Sequence, residues 1–213
     1  MYHMPIAEKE PIRLFKSDFL EFFTHISPVT IVVVWLPVAL YFLIRAAVDL
    51  PAGSDWVFIP LCFLGGMIIW TFSEYMLHRF LFHYIPKSKK VERIIFLFHG
   101  INHVQPQVKT RLVMPLPVSV PLAALFYGFF WLVFARLLNA PAWVGPFFSG
   151  FIIGYLIYDL MHYAEHHFPM RSGYAKFIKR YHMQHHYKTP NARFGVSVPL
   201  WDYVFGTAIK EDA

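Results

Sequence analysis

The sequence predicts an all-α protein, an integral membrane four-helix bundle, on three observations. Hydrophobic residues make up 57% of its 213 residues and charged residues only 15%, where a soluble domain carries about a quarter charged residues. Mean hydropathy is correspondingly positive, at +0.44. Four stretches, 28–48, 56–77, 112–138 and 142–161, reach the roughly 20 apolar residues that a bilayer-crossing helix needs. Finally, of the 19 Lys and Arg residues only Arg45 and Arg136 fall near one predicted membrane face. The rest lie in the N-terminal segment, the connection between the second and third spans, and the C-terminal segment. The positive-inside rule then places those three segments, both chain termini included, in the cytosol. A bacterial inner membrane and an ER-like membrane both suit this topology.

The elements follow in chain order within one domain, 1–213. Phe15, Phe19, Phe22, Phe23 and Ile26 recur at helical spacing, with Lys16, Asp18 and Glu21 between them, which predicts an amphipathic helix on the membrane surface. No short apolar core with a small-residue cleavage site precedes the first span, so that span is expected to stay in the protein. Gly65 and Gly66 in the second span, and Gly150 and Gly154 in the fourth, permit close helix approach. Pro115, Pro117 and Pro121 predict an irregular start to the third span. The segments 90–103 and 173–186 read as two further interfacial helices. The net charge of +6 lies beside apolar spans, which points to an anionic lipid surface and not to nucleic acid. The single cysteine, Cys62, excludes an internal disulfide framework and any Cys-rich zinc or iron–sulfur site.

Metal chemistry therefore falls to histidine and carboxylate. The chain has 12 His. His3 and His25 stand alone; the others cluster. His78 and His83 bracket four residues at the end of the second span. His99 and His103 lie in His-Gly-Ile-Asn-His, His162, His166 and His167 in His-Tyr-Ala-Glu-His-His, and His182, His185 and His186 in His-Met-Gln-His-His. Positions three and four apart share a helix face, so each of the last three groups can aim side chains at one point. His78 and His83, five apart, need a distortion or a helix end between them. All four groups fall at predicted cytosolic ends or segments, although charge alone set the orientation. One ion takes about four to six ligands, so this many imidazoles suit two ions. Imidazole ligation fits zinc, iron, copper or nickel. Glu74, Asp159, Glu165 and Asp202 lie close in sequence and are candidates to orient the ligands.

The chain resembles the fatty acid hydroxylase superfamily, closest to its fatty acid 2-hydroxylase (sphingolipid alpha-hydroxylase) branch. The resemblance runs from Ile12 to Thr207. It rests on IRLFKSDFLE (12–21), EYMLHRFLFH (74–83), FHGINH (98–103), YDLMHYAEH (158–166), HMQHH (182–186) and FGVSVPLWDYVFGT (194–207). It implies a dinuclear iron centre whose sites zinc can fill in purified protein. The ligand positions it implies are His78, His83, His99, His103, His162, His166, His182, His185 and His186. Asn102 stands where the family's His-x-x-His-His box has a histidine, and its carbonyl can coordinate directly or through water. His167 is additional to the pattern.

The implied reaction is O2-dependent hydroxylation of a lipid C–H bond, next to the carbonyl of a fatty acid or sphingolipid acyl chain. Arg79, Lys109, Arg111 and Arg193 are candidates to meet the lipid head group, and Trp201, Asp202 and Tyr203 to close the site. The chain shows no fused cytochrome b5 domain, so the resemblance implies a separate electron donor, cytochrome b5-like or ferredoxin-like, with its reductase. Two alternatives use the same residues: a desaturase or sterol-type oxidase on the same metal pair, and a non-redox metal-binding or transport protein. Transport sites tend to lie near the bilayer midplane, whereas these histidines lie at span ends.

Overall fold

A computed structural model describes residues 10–50, 53 and 55–209. His3, Lys9 and Lys210 lie outside these residues. The described residues are helical, with no strand among them. In order they form α1 (Asp18–Phe22), α2 (Pro28–Val48), α3 (Phe58–Met76), α4 (Lys89–Ile95), α5 (Ile101–Val104), α6 (Leu116–Trp131), α7 (Val144–His167), α8 (Gly173–Tyr187) and α9 (Leu200–Val204). Wider π-helical turns extend α3 over Leu77–Phe82, α4 over Phe96–Gly100 and α6 over Leu132–Leu137.

Four helices are long and apolar enough to cross a membrane: Pro28–Val48, Phe58–Phe82, Leu116–Leu137 and Pro141–His167. The third begins four residues later than expected from apolarity. Pro115 disfavours helical backbone at the residue before it, and Met114 N–H instead bonds to the Asp159 carboxylate at 3.0 Å. The fourth runs on through its histidines, because nothing in His-Tyr-Ala-Glu-His-His breaks a helix.

The expected N-terminal amphipathic helix shrinks to the five residues of α1. Competing partners take its backbone groups. The Glu21 carboxylate accepts the N–H groups of Leu14 at 2.9 Å and Phe15 at 2.8 Å. At the far end, Ile26 N–H bonds to the Thr110 carbonyl at 2.9 Å. Phe19 and Phe22 remain largely exposed.

The chain divides into two compact units. One comprises the described residues of 29–71 and 116–157. Here Gly66 and Gly150 bring α3 and α7 together: a Cβ on Gly66 would collide with the Phe147 carbonyl, and one on Gly150 with the Phe63 carbonyl. Gly154 lies against the Trp70 side chain. Trp35 of α2 packs edge-on to Tyr155 and donates to Ser119 Oγ at 3.3 Å.

The other unit comprises 10–28, 72–115 and 158–209. It holds the end of α3, α4, α5, the end of α7, α8 and α9. Every candidate site residue lies in this unit.

Candidate metal centre

The first requirement is that His78 and His83 share a face. A π-turn bonds residue i to i+5, and the His83 N–H bonds to the His78 carbonyl at 3.1 Å. The distortion thereby sets two imidazoles five positions apart side by side, with their Nε2 atoms 3.1 Å apart. A second π-turn, Phe96–Gly100, feeds His99 into α5. There His99 and His103 meet Nε2 to Nε2 at 3.0 Å. On α8, His182, His185 and His186 all lie on the buried face.

Two groups of nitrogen result. His78, His83, His99, His103 and His185 form one; His162, His166, His182 and His186 form the other. Within each group one ring nitrogen per residue lies within 4.8 Å of all the others. In the first group His78 Nε2 is also 3.0 Å from His99 Nε2, and His185 Nε2 is 3.1 Å from His83 Nε2. In the second, His166 and His182 meet Nε2 to Nε2 at 3.1 Å. The His103 and His186 rings stack with centroids 4.1 Å apart, so the groups adjoin.

This donor set fits metal ions. The Nδ1–H of His78 donates to the Phe194 carbonyl at 2.5 Å, and that of His185 to the Ala192 carbonyl at 2.7 Å. A neutral imidazole has one N–H, so Nε2 of His78 and of His185 carries a lone pair, and these point at the Nε2 atoms of His99 and His83. Nitrogens converging in this way offer donors to a cation. Two ligands about 2.1 Å from one ion and at right angles are roughly 3 Å apart, which matches the observed spacings. In the second group His162 Nε2 and both ring nitrogens of His186 are buried without a hydrogen-bond partner. Burial pushes His99, His182, His185 and His186 well below the ordinary 6.5, reinforced by neighbouring imidazoles. The same causes lower His103 to about 3. The rings are thus neutral near pH 7, as ligation requires.

The four carboxylates lie mostly one step away from the imidazoles. Asp202 accepts the N–H groups of Phe194 at 2.8 Å and Gly195 at 2.7 Å, and the Thr207 hydroxyl at 2.6 Å. Glu74 accepts Val196 N–H at 2.7 Å, Ser197 N–H at 2.8 Å and the Ser197 hydroxyl. Together they fix the segment whose Phe194 carbonyl orients His78. A Cβ on Gly195 would collide with the Val198 carbonyl and reach 3.0 Å from Asp202 Oδ2. Asp159 holds Met114, two residues after Leu112, whose carbonyl meets His162 and, at 3.5 Å, Asn102 Nδ2. Glu165 is enclosed; its carboxylate lies 4.0 Å from His182 Nδ1. Sequence reasoning missed the orienting carbonyls of Phe194, Ala192 and Leu112. Backbone acceptors leave no mark in residue type, although the FGVSVPLWDY motif contains the first of them.

The remaining candidates are dispersed. Arg111 is enclosed and pairs with Glu21 Oε1 at 2.5 Å and His25 Nε2 at 2.9 Å. Burial alone would raise the Glu21 pKa, but donors from Phe15, Leu14 and Arg111 outweigh it and hold the carboxyl below its ordinary value. Arg193, in left-handed backbone at φ 60°, donates to Thr189 and to the Ile209 carbonyl. Arg79 donates to the Tyr75 hydroxyl at 2.6 Å. The Trp201 ring packs on Phe72 with centroids 4.9 Å apart. Tyr203 is exposed on the rim of a 270 Å³ cavity shared with Tyr181 and Arg193. A smaller cavity of 130 Å³ is walled by Phe82, Ile85, Ile95 and Phe96 and reaches His83 and His103. His167, half-buried, belongs to neither nitrogen group.

Comparison with known proteins agrees with the motif resemblance. The fatty acid hydroxylase family profile matches residues 63–207. The Arabidopsis thaliana dihydroceramide fatty acyl 2-hydroxylase FAH1 is 38% identical over 206 residues, covering 96% of this chain and 83% of that protein. The fatty acid 2-hydroxylase of Rattus norvegicus is 38% identical over 231 residues, covering 99% of this chain and 60% of that protein. The ceramide very long chain fatty acid hydroxylase SCS7 of Saccharomyces cerevisiae is 39% identical over 200 residues, covering 92% and 50%. This chain thus spans 60% or less of the rat and yeast relatives. The structure of full-length scs7p, with only its hydroxylase domain visible, superposes with a TM-score of 0.82 at 37% identity, covering 92% of this chain and 72% of that chain. A family match over most of the chain, relatives 38–39% identical over nearly all of it, and a shared fold lead to one conclusion: the chain belongs to the fatty acid hydroxylase family.

Proposed function

We propose that this membrane enzyme hydroxylates the carbon next to the carbonyl of a lipid acyl chain, a fatty acid or a sphingolipid. One oxygen atom of O2 enters the C–H bond, and two electrons and two protons reduce the other to water. The observation that carries this reading is the pair of adjoining imidazole groups in a chain of the fatty acid hydroxylase family. His78, His83, His99, His103 and His185 would hold one iron, and His162, His166, His182 and His186 the other, with Asn102 beside the second. Bound iron supplies the O2 chemistry, which no amino-acid side chain provides. Zinc can occupy imidazole sites in purified protein.

The chain's own contribution is to bind, orient and exclude water. Asp202, Glu74 and Asp159 fix the backbone carbonyls that hold His78 and His162 in position, and Glu165 lies against His182. The 130 Å³ cavity is the better candidate for the acyl chain than the 270 Å³ one. It is smaller, but its apolar walls end on His83 and His103. Trp201 and Tyr203 offer an aromatic face and a hydroxyl to the lipid head group. Arg111 serves through its pair with Glu21, which ties the N-terminal segment to the loop before α6. Electrons come from a separate cytochrome b5-like or ferredoxin-like donor and its reductase. The termini and the metal centre face the cytosol, in a bacterial inner membrane or an ER-like membrane.

Mass spectrometry of lipids from cells with and without the protein, grown in labelled O2, tests this reading. A 2-hydroxyacyl lipid carrying one labelled oxygen is expected. An alkene would assign the same centre to a desaturase, and no oxidised lipid would overturn the proposal. His185→Ala should lower metal content and abolish the product; full retention of both would sink the ligand assignment.

A further inference from the structure

The two nitrogen groups are related by an exchange that only one residue breaks. In α8 the residues at 0 and +4, His182 and His186, belong to the four-membered group, and the residue at +3, His185, crosses to the five-membered one. In the 99–103 segment the assignment reverses. The residues at 0 and +4, His99 and His103, belong to the five-membered group. The residue at +3, which by the same exchange should cross to the other group, is Asn102. The pairing extends to the remaining members: His78 with His83 at the end of α3 corresponds to His162 with His166 at the end of α7. Five imidazoles therefore face four, and the missing one is at position 102.

The surroundings of Asn102 fit that place. It is buried, and its Nδ2 is 3.5 Å from the Leu112 carbonyl, the oxygen that also meets the His162 ring. Its chain neighbour His103 stacks on His186. Asn102 thus shares a carbonyl with one member of the four-imidazole group, and its chain neighbour touches another. That group is also where ligand atoms are left unpartnered: His162 Nε2 and both nitrogens of His186. An amide is a far weaker metal donor than imidazole, because its nitrogen has no available lone pair and its carbonyl oxygen is neutral and hard.

We propose that Asn102 makes the two metal positions unequal. The four-imidazole position keeps one more exchangeable coordination place, which takes a small anion or diatomic ligand, and it gives up its metal first. The inference rests on the two-metal reading above. Within that reading it names the metal at which small ligands enter.

The test uses full-length protein in detergent, loaded with Co(II), whose d–d spectrum reports coordination. Transfer to excess EDTA should be biphasic with equal amplitudes, the first phase at least about tenfold faster, since even an outer-sphere partner changes metal affinity by roughly 10–100-fold. Azide should perturb the spectrum of the fast-leaving half at the lower concentration. Asn102→His should slow the fast phase towards the slow one and remove the low-concentration azide response. His185→Ala leaves four imidazoles in each group, and the Co(II) it still holds after loading should leave at the fast rate alone; it keeps the test open if Asn102→His fails to fold. Release in one phase from the wild type overturns the proposal. So does an unchanged azide response in Asn102→His with two Co(II) bound, or a surviving slow phase in His185→Ala. A chain that never holds two metals would overturn the dinuclear reading itself, a result distinct from two metals that leave together.

Discussion

Among the described residues of 29–71 and 116–157, the buried polar side chains are two serines, Ser119 and Ser149. Glycine contacts and stacked aromatic rings hold those helices. The unit of 10–28, 72–115 and 158–209 buries eight histidines, four carboxylates and two arginines. An ion or polar group buried without partners costs several kcal/mol, so that interior holds only if its donors and acceptors are matched. The apolar unit needs close fit, and the polar unit needs hydrogen-bond and metal partners. The two should therefore fail under different insults.

Acid should separate them most. His83, His99, His103, His182, His185 and His186 all have folded-state pKa values below 6.5, through burial first and neighbouring imidazoles second. Below about pH 6.5 the unfolded chain therefore binds more protons than the folded one. Stability from these groups is complete above that pH and lost as pH falls below it. The thermal midpoint and the metal content should drop together between pH 7 and pH 5, while tryptophan fluorescence from Trp35 and Trp70 changes later. A flat midpoint over that range would contradict the burial of neutral imidazoles.

Asp202→Ala comes next. It strands the Phe194 and Gly195 N–H groups and the Thr207 hydroxyl, at about 1–3 kcal/mol for each buried group left unsatisfied. Metal content should fall as well, because the Phe194 carbonyl positions His78. Asp202→Asn, which keeps acceptor capacity, should be milder in both readouts. Gly150→Val attacks the other unit through the Phe63 backbone, and overpacking costs roughly 1–3 kcal/mol. Thermal unfolding in detergent should show that loss without a change in the metal ratio of the surviving folded protein. Ser119→Ala should cost least, about 1 kcal/mol, since it removes one 3.3 Å bond from Trp35. A loss as large as that of Asp202→Ala would show that the apolar unit also depends on polar matching.

Much of this was legible in the chain. Apolar length gave the four spans, since bilayer thickness fixes helix length whatever the neighbours. The 0, +3, +4 spacing of His182, His185 and His186 and the pairing of His162 with His166 announced ligand faces, because helix periodicity is local. The N-terminal helix is shorter than its phenylalanine spacing implies, because Glu21 and the Thr110 carbonyl take the backbone groups. The His78–His83 pair was readable only as a problem, which a π-turn solves.

By itself, then, the sequence determined the all-α membrane architecture, the histidine inventory and the departure at Asn102, because these depend on composition and on spacing along one helix. Only the tertiary structure decided how nine imidazoles divide into five and four, and which carbonyls orient them. Neighbours in one box, His185 and His186, go to different groups. That partition depends on where α3, α5, α7 and α8 converge, and on loops held by Glu74 and Asp202 more than 100 residues apart in the chain.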